Sequence, residues 1–178
     1  MDYRLSEVAA VAGIPHGSTR VMRHRGQLGI PRYTHRLSLT DACMVVLTGR
    51  LANLLGMSAA TAARIASQAR AIIAEVADHW DQGGKDDTFI VFFTLPGGIW
   101  CEAAHGRVEY YKRMDTMMAQ SAHEPRVSLN LSNLVMWTAC ALKRHKEPKF
   151  THWWHPGLIR VHKTHTADRS WTLLPTFS

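Results

Sequence analysis

No apolar run approaches the ~18 to 20 residues that a membrane-spanning helix needs, and the start MDYRLSEVAA lacks a basic segment followed by an apolar stretch. Neither a span nor a secretory signal is expected, and no membrane partner. Cysteine is scarce: Cys43, Cys101 and Cys140 are odd in number, far apart and form no CxxC pair. Such usage fits small buried thiols in a reducing cytoplasm. Also missing are a nucleophile elbow, a P-loop, paired metal carboxylates and a Rossmann glycine fingerprint. Cys101 with His105 is the best nucleophile and base on offer, too little for catalysis, so the chain is expected to be no enzyme and to need no cofactor. Acids are few for the number of bases: 14 against 21, a net charge of +7 and a pI near 9.7. That balance points toward polyanionic partners.

What remains is an ordinary globular composition, 178 residues with 46% hydrophobic and 20% charged, enough for one domain or two small ones. The charge is concentrated. Residues 1–36 hold six arginines, at 4, 20, 23, 25, 32 and 36, against Asp2 and Glu7. From Tyr3 to Trp80 the pattern is helical. Leu5, Val8, Ala9 and Ala12 mark one face of a short helix, capped at Ser6 and ended by Gly13. A second helix is expected from about Gly17 to Arg25, with Val21 and Met22 inward and Ser18, Arg20, Arg23 and His24 outward. Gln27 to Ser38 reads as a loop or small hairpin, a basic wing. Ser38 or Thr40 then starts a third helix that runs to Leu55 and stops at Gly56. Ser58 opens a long fourth helix to Trp80. Its small-residue seam, including Ala62, Ile65, Ala66, Ala69, Ile72, Ile73 and Val76, suits packing within the chain or a dimer, with the former slightly favoured.

DQGGKDD, residues 81–87, is the linker between a domain at 1–80 and another at 88–178. Beyond it, Thr88–Leu95, Ile99–Ala103 and Val108–Tyr111 read as an antiparallel meander. Met114–Ala122 reads as a short helix and Leu131–His145 as a strong one. Leu158–His162 and Trp171–Leu174 return to the sheet, giving a small α+β domain suited to assembly or to binding a protein partner. His152-Trp153-Trp154-His155 and the pair His162 and His165 make two HxxH spacings, yet Pro156-Gly157 breaks the helix that would align them, so no metal is expected. Trp153 and Trp154 beside Lys149 suit a core or interface better than stacking on bases.

A short helix, tight turn, basic helix, basic wing and further helix is the layout of a winged helix-turn-helix. Over roughly its first 55 residues the chain resembles MerR-type and excisionase-like DNA-binding domains. The resemblance is carried by Leu5-Ser6-Glu7-Val8-Ala9 in the first helix, Gly13-Ile14 at the turn, Ser18 and Arg20 in the second helix, and Gly26 with Leu28 after it. Val21 and Met22 stand where MerR-type regulators carry paired aromatics, and the wing from Ile30 to Leu37 is short. These departures point to a divergent or phage-type relative rather than a ligand-sensing regulator. The resemblance implies a sequence-specific regulator of transcription that grips double-stranded DNA as a homodimer. Ser18, Thr19, Arg20, Arg23, His24, Arg32, Tyr33 and Arg36 are the candidate contacts. An architectural factor of a phage or mobile element, of the excisionase or small-terminase type, is the nearest alternative. A protein-binding adaptor is the alternative of another class.

Overall fold

Apolar residues surround the third helix on every side, so it can be stable only in the middle of its unit. In the computed structural model that helix, Leu39–Leu55, is buried continuously from Asp41 to Leu51. The structure describes residues 2–33, 36–83, 87–95, 98–120, 126–145 and 159–162. In chain order the elements are β1 (Tyr3–Arg4), α1 (Leu5–Val11), α2 (His16–His24), β2 (Arg36–Leu37), α3 (Leu39–Leu55), α4 (Ala59–Asp81), β3 (Thr88–Leu95), β4 (Gly98–His105), α5 (Arg107–Gln120), β5 (Arg126–Asn130), α6 (Leu131–His145) and β6 (Ile159–His162). The fold is mixed, with six helices and two antiparallel sheets among the described residues. No helix there is long and apolar enough to cross a membrane.

Local chemistry sets the ends of α3. The Ser38 hydroxyl accepts the Asp41 N–H at 3.1 Å while Asp41 Oδ2 accepts the Ser38 N–H at 3.3 Å, a reciprocal cap. Gly56, at φ 63°, ends the helix. Asp41 also receives Arg70 Nη2 at 2.7 Å, tying the start of α3 to the middle of α4. Ser58 caps α4 by accepting the Thr61 N–H. The α4 seam is spent inside this unit except at Ile72, which is half-buried: Ala62, Ile65, Ala66, Ala69, Ile73 and Val76 are all buried with the protein as a single chain. A dimer cannot use them without first opening the core.

At the other end of the unit, α1 is capped two residues earlier than the expected Ser6. Arg4 is its N-cap, and the Glu7 carboxylate reaches back to the Arg4 N–H at 3.0 Å. The turn after α1 rests on α3 at Gly49. A Cβ there would stand 2.6 Å from the Ala12 carbonyl oxygen, so only glycine permits this approach. Asn53 Nδ2 donates to the Gly13 carbonyl at 3.2 Å and fastens the same turn.

The chain divides into two compact units, and the division differs from the expected one. Residues from Leu134 onward in α6 fall with residues 1–84, not with the sheet. Arg50 of α3, 7% exposed, lies over the Trp137 ring at 4.4 Å, and Thr138 is buried beside Cys43. Burial pushes the Cys43 thiol up to about 12, while the Thr138 hydroxyl pulls it slightly down. The chain changes from helix, ending at Asp81, to strand, starting at Thr88, and the first unit takes in most of a later helix.

In the second unit the sheet order is β4-β3-β5-β6, antiparallel throughout. The expected strand at Val108–Tyr111 is instead part of α5. Strand preference over four residues cannot distinguish a strand from one helical turn, and here the helical spacing wins. Tyr110 and Met114, four apart, are both buried against the sheet, and Glu109 and Arg113 pair at 2.7 Å on the exposed side. The sheet's third strand is β5, which the sequence reading lacked. Ser128 of β5 shares a 2.8 Å hydrogen bond with Tyr110 Oη, and the Tyr110 ring stacks on Phe89 at 4.4 Å. Asn130 Oδ1 accepts the Asn133 N–H at the start of α6, and its Nδ2 donates to Asp87 at 3.1 Å. Desolvation would raise the Asp87 carboxyl, but Asn130 and Arg107 outweigh it and hold the group below its ordinary value. Replacing Tyr110 with Phe is expected to lower this unit's stability by about 1 kcal/mol, the usual worth of one such hydrogen bond. Denaturant unfolding checks it, and an unchanged midpoint would remove the bond from the account.

β6 forms within the expected 158–162 strand, whereas Trp171–Leu174, His152–His155 and His165 lie outside the described residues. Among those described, no three His, Cys, Asp or Glu side chains gather to hold a metal ion.

Candidate nucleic-acid interface

The turn Gly13-Ile14-Pro15 launches α2. Gly13 sits at φ 68°, and the Ile14 N–H returns to the Ala9 carbonyl at 2.9 Å. Pro15 cannot extend α1, yet its carbonyl accepts the Ser18 and Thr19 N–H groups and also the Thr19 hydroxyl at 3.1 Å. Thr19 is thereby turned inward, 5% exposed, and is withdrawn from the candidate contacts. A threonine can face the core because its hydroxyl is satisfied locally.

That rotation fixes the rest of the helix. Gly17, Arg20, Val21 and His24, spaced i, i+3, i+4 and i+7, form one exposed stripe, with Ser18 and Arg25 at its borders. Val21, expected inward, is 48% exposed. A Cβ on Gly17 would meet nothing within 4 Å, so the start of the stripe is open.

At its far end α2 closes through Gly26, at φ 71°, whose N–H bonds to the Arg23 carbonyl, and the Gln27 N–H returns to Met22 at 2.7 Å. Arg23 has a different task from the one its position suggested. It is half-buried, and its Nε donates to the Arg32 carbonyl at 2.6 Å, joining α2 to the following loop. The Arg32 guanidinium lies over Gly26, 3.6 Å from where a Cβ would be. Leu28 and Ile30 anchor the loop in the core, while Arg32 and Tyr33 stay exposed, Tyr33 at 88%.

β2 then pairs with β1, so that Arg36 stands opposite Arg4 and Leu37 opposite Tyr3. Leu37 and Tyr3 are buried; both arginines face solvent. Like charges set directly across a strand pair oppose folding, so this pairing weakens a two-residue sheet unless an anion lies over it. Ser18, Arg20, His24, Arg32, Tyr33 and Arg36 are exposed, and Arg4, Arg25 and Val21 join them. Sequence reasoning missed Arg4 because a two-residue strand has no readable period. It missed Val21 because nine residues allow more than one inward face.

Cys101 and His105 are both on β4 and are not brought together, since four residues of strand span about 13 Å. Burial and the neighbouring Glu102 raise the Cys101 thiol, away from the thiolate a nucleophile needs. The geometry defines an exposed helix face that carries Arg20 and His24, with Arg25 and Arg32 at its C-terminal end. Compared with protein-family models, with curated proteins and with solved structures, the chain matches none of them.

Proposed function

We propose that the protein is a sequence-specific regulator that binds double-stranded DNA through a winged helix-turn-helix in its first unit and acts in the cytoplasm without catalysis. One observation carries this reading: the α2 stripe Gly17, Arg20, Val21 and His24 is exposed and bordered by Arg25 and Arg32, and the same unit exposes a second basic pair, Arg4 opposite Arg36. An α-helix fits the major groove, Arg20 can pair bidentately with a guanine edge, and Arg32 and Arg36 suit phosphates on either side. Arg23 works here as a positioning residue. A single helix reads few base pairs, so specificity calls for two copies on half-sites about one helical turn apart. With the α4 seam occupied, their contact lies elsewhere, with the second unit the candidate for assembly or for a protein partner.

The test uses a duplex selected from random sequence, with random duplex as reference, at several salt concentrations. Arg20→Ala is expected to weaken the selected site about 10- to 100-fold and random DNA little. Arg36→Ala should weaken both alike and reduce the salt slope by about 0.9, the share of one phosphate. Both side chains are exposed, so folding is preserved. Wild-type binding by both variants would overturn the proposal, and light scattering of the complex reads its stoichiometry.

A further inference from the structure

A valine on the exposed face of α2 beside Arg20 presents apolar surface to water and does nothing for phosphate binding. Val21 is 48% exposed on α2, one residue from Arg20 and three from His24. It has a core-facing neighbour, Thr19, so the helix was free to hide an apolar side chain at 19 and present a polar one at 21. The opposite arrangement is observed. A valine aimed into a major groove meets one apolar feature on the base edges, the 5-methyl group of thymine.

We propose that Val21 is a specificity-determining residue that reads a thymine methyl group next to the base contacted by Arg20; this rests on the DNA-binding reading above. The open position at Gly17 supports it. One turn before Val21 there is no side chain and nothing within 4 Å of where one would begin, so the start of the helix can approach the groove floor closely enough for a short side chain to reach a base. Valine projects only two carbons beyond Cα, and contact with a methyl group requires that approach. Farther along the same stripe, His24 and Arg20 are long enough to reach base edges from a helix held at that depth. The readout is therefore mixed: a hydrogen-bonding cation at 20 and a methyl contact at 21, on adjacent base pairs.

The experiment compares a selected duplex with versions in which each thymine in turn is replaced by deoxyuridine, which lacks only the methyl group. Wild-type protein is expected to bind one of these replacements about fourfold more weakly, the worth of one buried methyl group, and the others unchanged. Val21→Ala, whose side chain is exposed and whose folding is checked by thermal melting, should discriminate between the thymine and uracil forms of that position less than the wild-type protein does, since the shorter side chain reaches the methyl group less well. It should still prefer the selected site over random DNA through Arg20.

Two outcomes overturn the inference while leaving DNA binding intact. One is wild-type binding that is indifferent to every uracil replacement, including selection of sites without thymine. The other is a Val21→Ala variant that keeps the full thymine preference. Failure of the wild-type protein to bind any duplex would instead remove the reading on which the inference stands.

Discussion

Gly49→Ala is expected to destabilise the first unit by about 2 kcal/mol, although alanine is the better helix former. Alanine gains about 1 kcal/mol of helix propensity in the interior of α3. Against that, the new Cβ would stand 2.6 Å from the Ala12 carbonyl oxygen, 3.1 Å from Ile14 Cγ1 and 3.2 Å from Ala12 Cβ. The nearest obstacle is backbone, held by its own helix, so relief requires moving the α1–α2 turn off α3. Overpacking of this kind costs about 1 to 3 kcal/mol or more, and it wins. The same displacement tilts α2, so loss of selected-site binding should exceed what the fraction unfolded explains. Gly17→Ala supplies the contrast. It is also a helical glycine, with nothing within 4 Å of its Cβ position, and should leave the chain as stable or slightly more so. Denaturant unfolding of the two variants separates the cases; equal stability would mean that the turn does not rest on Gly49.

The second large effect concerns Trp137. Its ring lies under the guanidinium of Arg50, a residue only 7% exposed, and that burial lowers Arg50 to about 10. Trp137→Ala removes both the packing of a large half-buried side chain and the ring face that compensates the cation. Together these should cost about 3 kcal/mol, with roughly 1 to 2 of it from the cation–π contact. Trp137→Phe keeps a ring and should recover more than half. A fragment ending at residue 83 loses the whole of α6, and against a total of about 5 to 15 kcal/mol it should fail to unfold cooperatively. Thermal melting followed by circular dichroism checks both. A fragment as cooperative as the full chain would show that α6 is dispensable to the first unit.

Long elements were readable because many residues repeat the same signal. The bounds of α3 and α4 follow from Ser38, Gly56 and Ser58, and β3 from eight consecutive residues of high strand preference. Short elements were not. In α2 the inward choice between Thr19 and Val21 turns on one hydrogen bond to Pro15, which no periodicity reports. In α5 the residues Val108, Tyr110 and Tyr111 have the preference of a strand, and Met114, one turn after Tyr110, is what places them on a helix. The partner of α6 could not be found by pattern either, because the apolar stripe of a helix states that it is covered, not by what. For the candidate site, the arginines were visible as composition. Their division of labour was not: Arg23 bracing a loop and Arg4 facing Arg36 depend on contacts across 9 and 32 residues of chain.

Because α6 returns to the first unit, that unit is not a continuous piece of chain, and synthesis imposes an order on its folding. Arg50 and Cys43 emerge well before Trp137 and Thr138. At about 5 to 20 residues per second, the nascent helices α1 to α4 wait several seconds for the helix that completes them, while β3, β4 and α5 are made in between. During that interval the part of α3 around Arg50 and Cys43 that later meets Trp137 and Thr138 is uncovered, and a chaperone or a neighbouring nascent chain has its best opportunity to bind it.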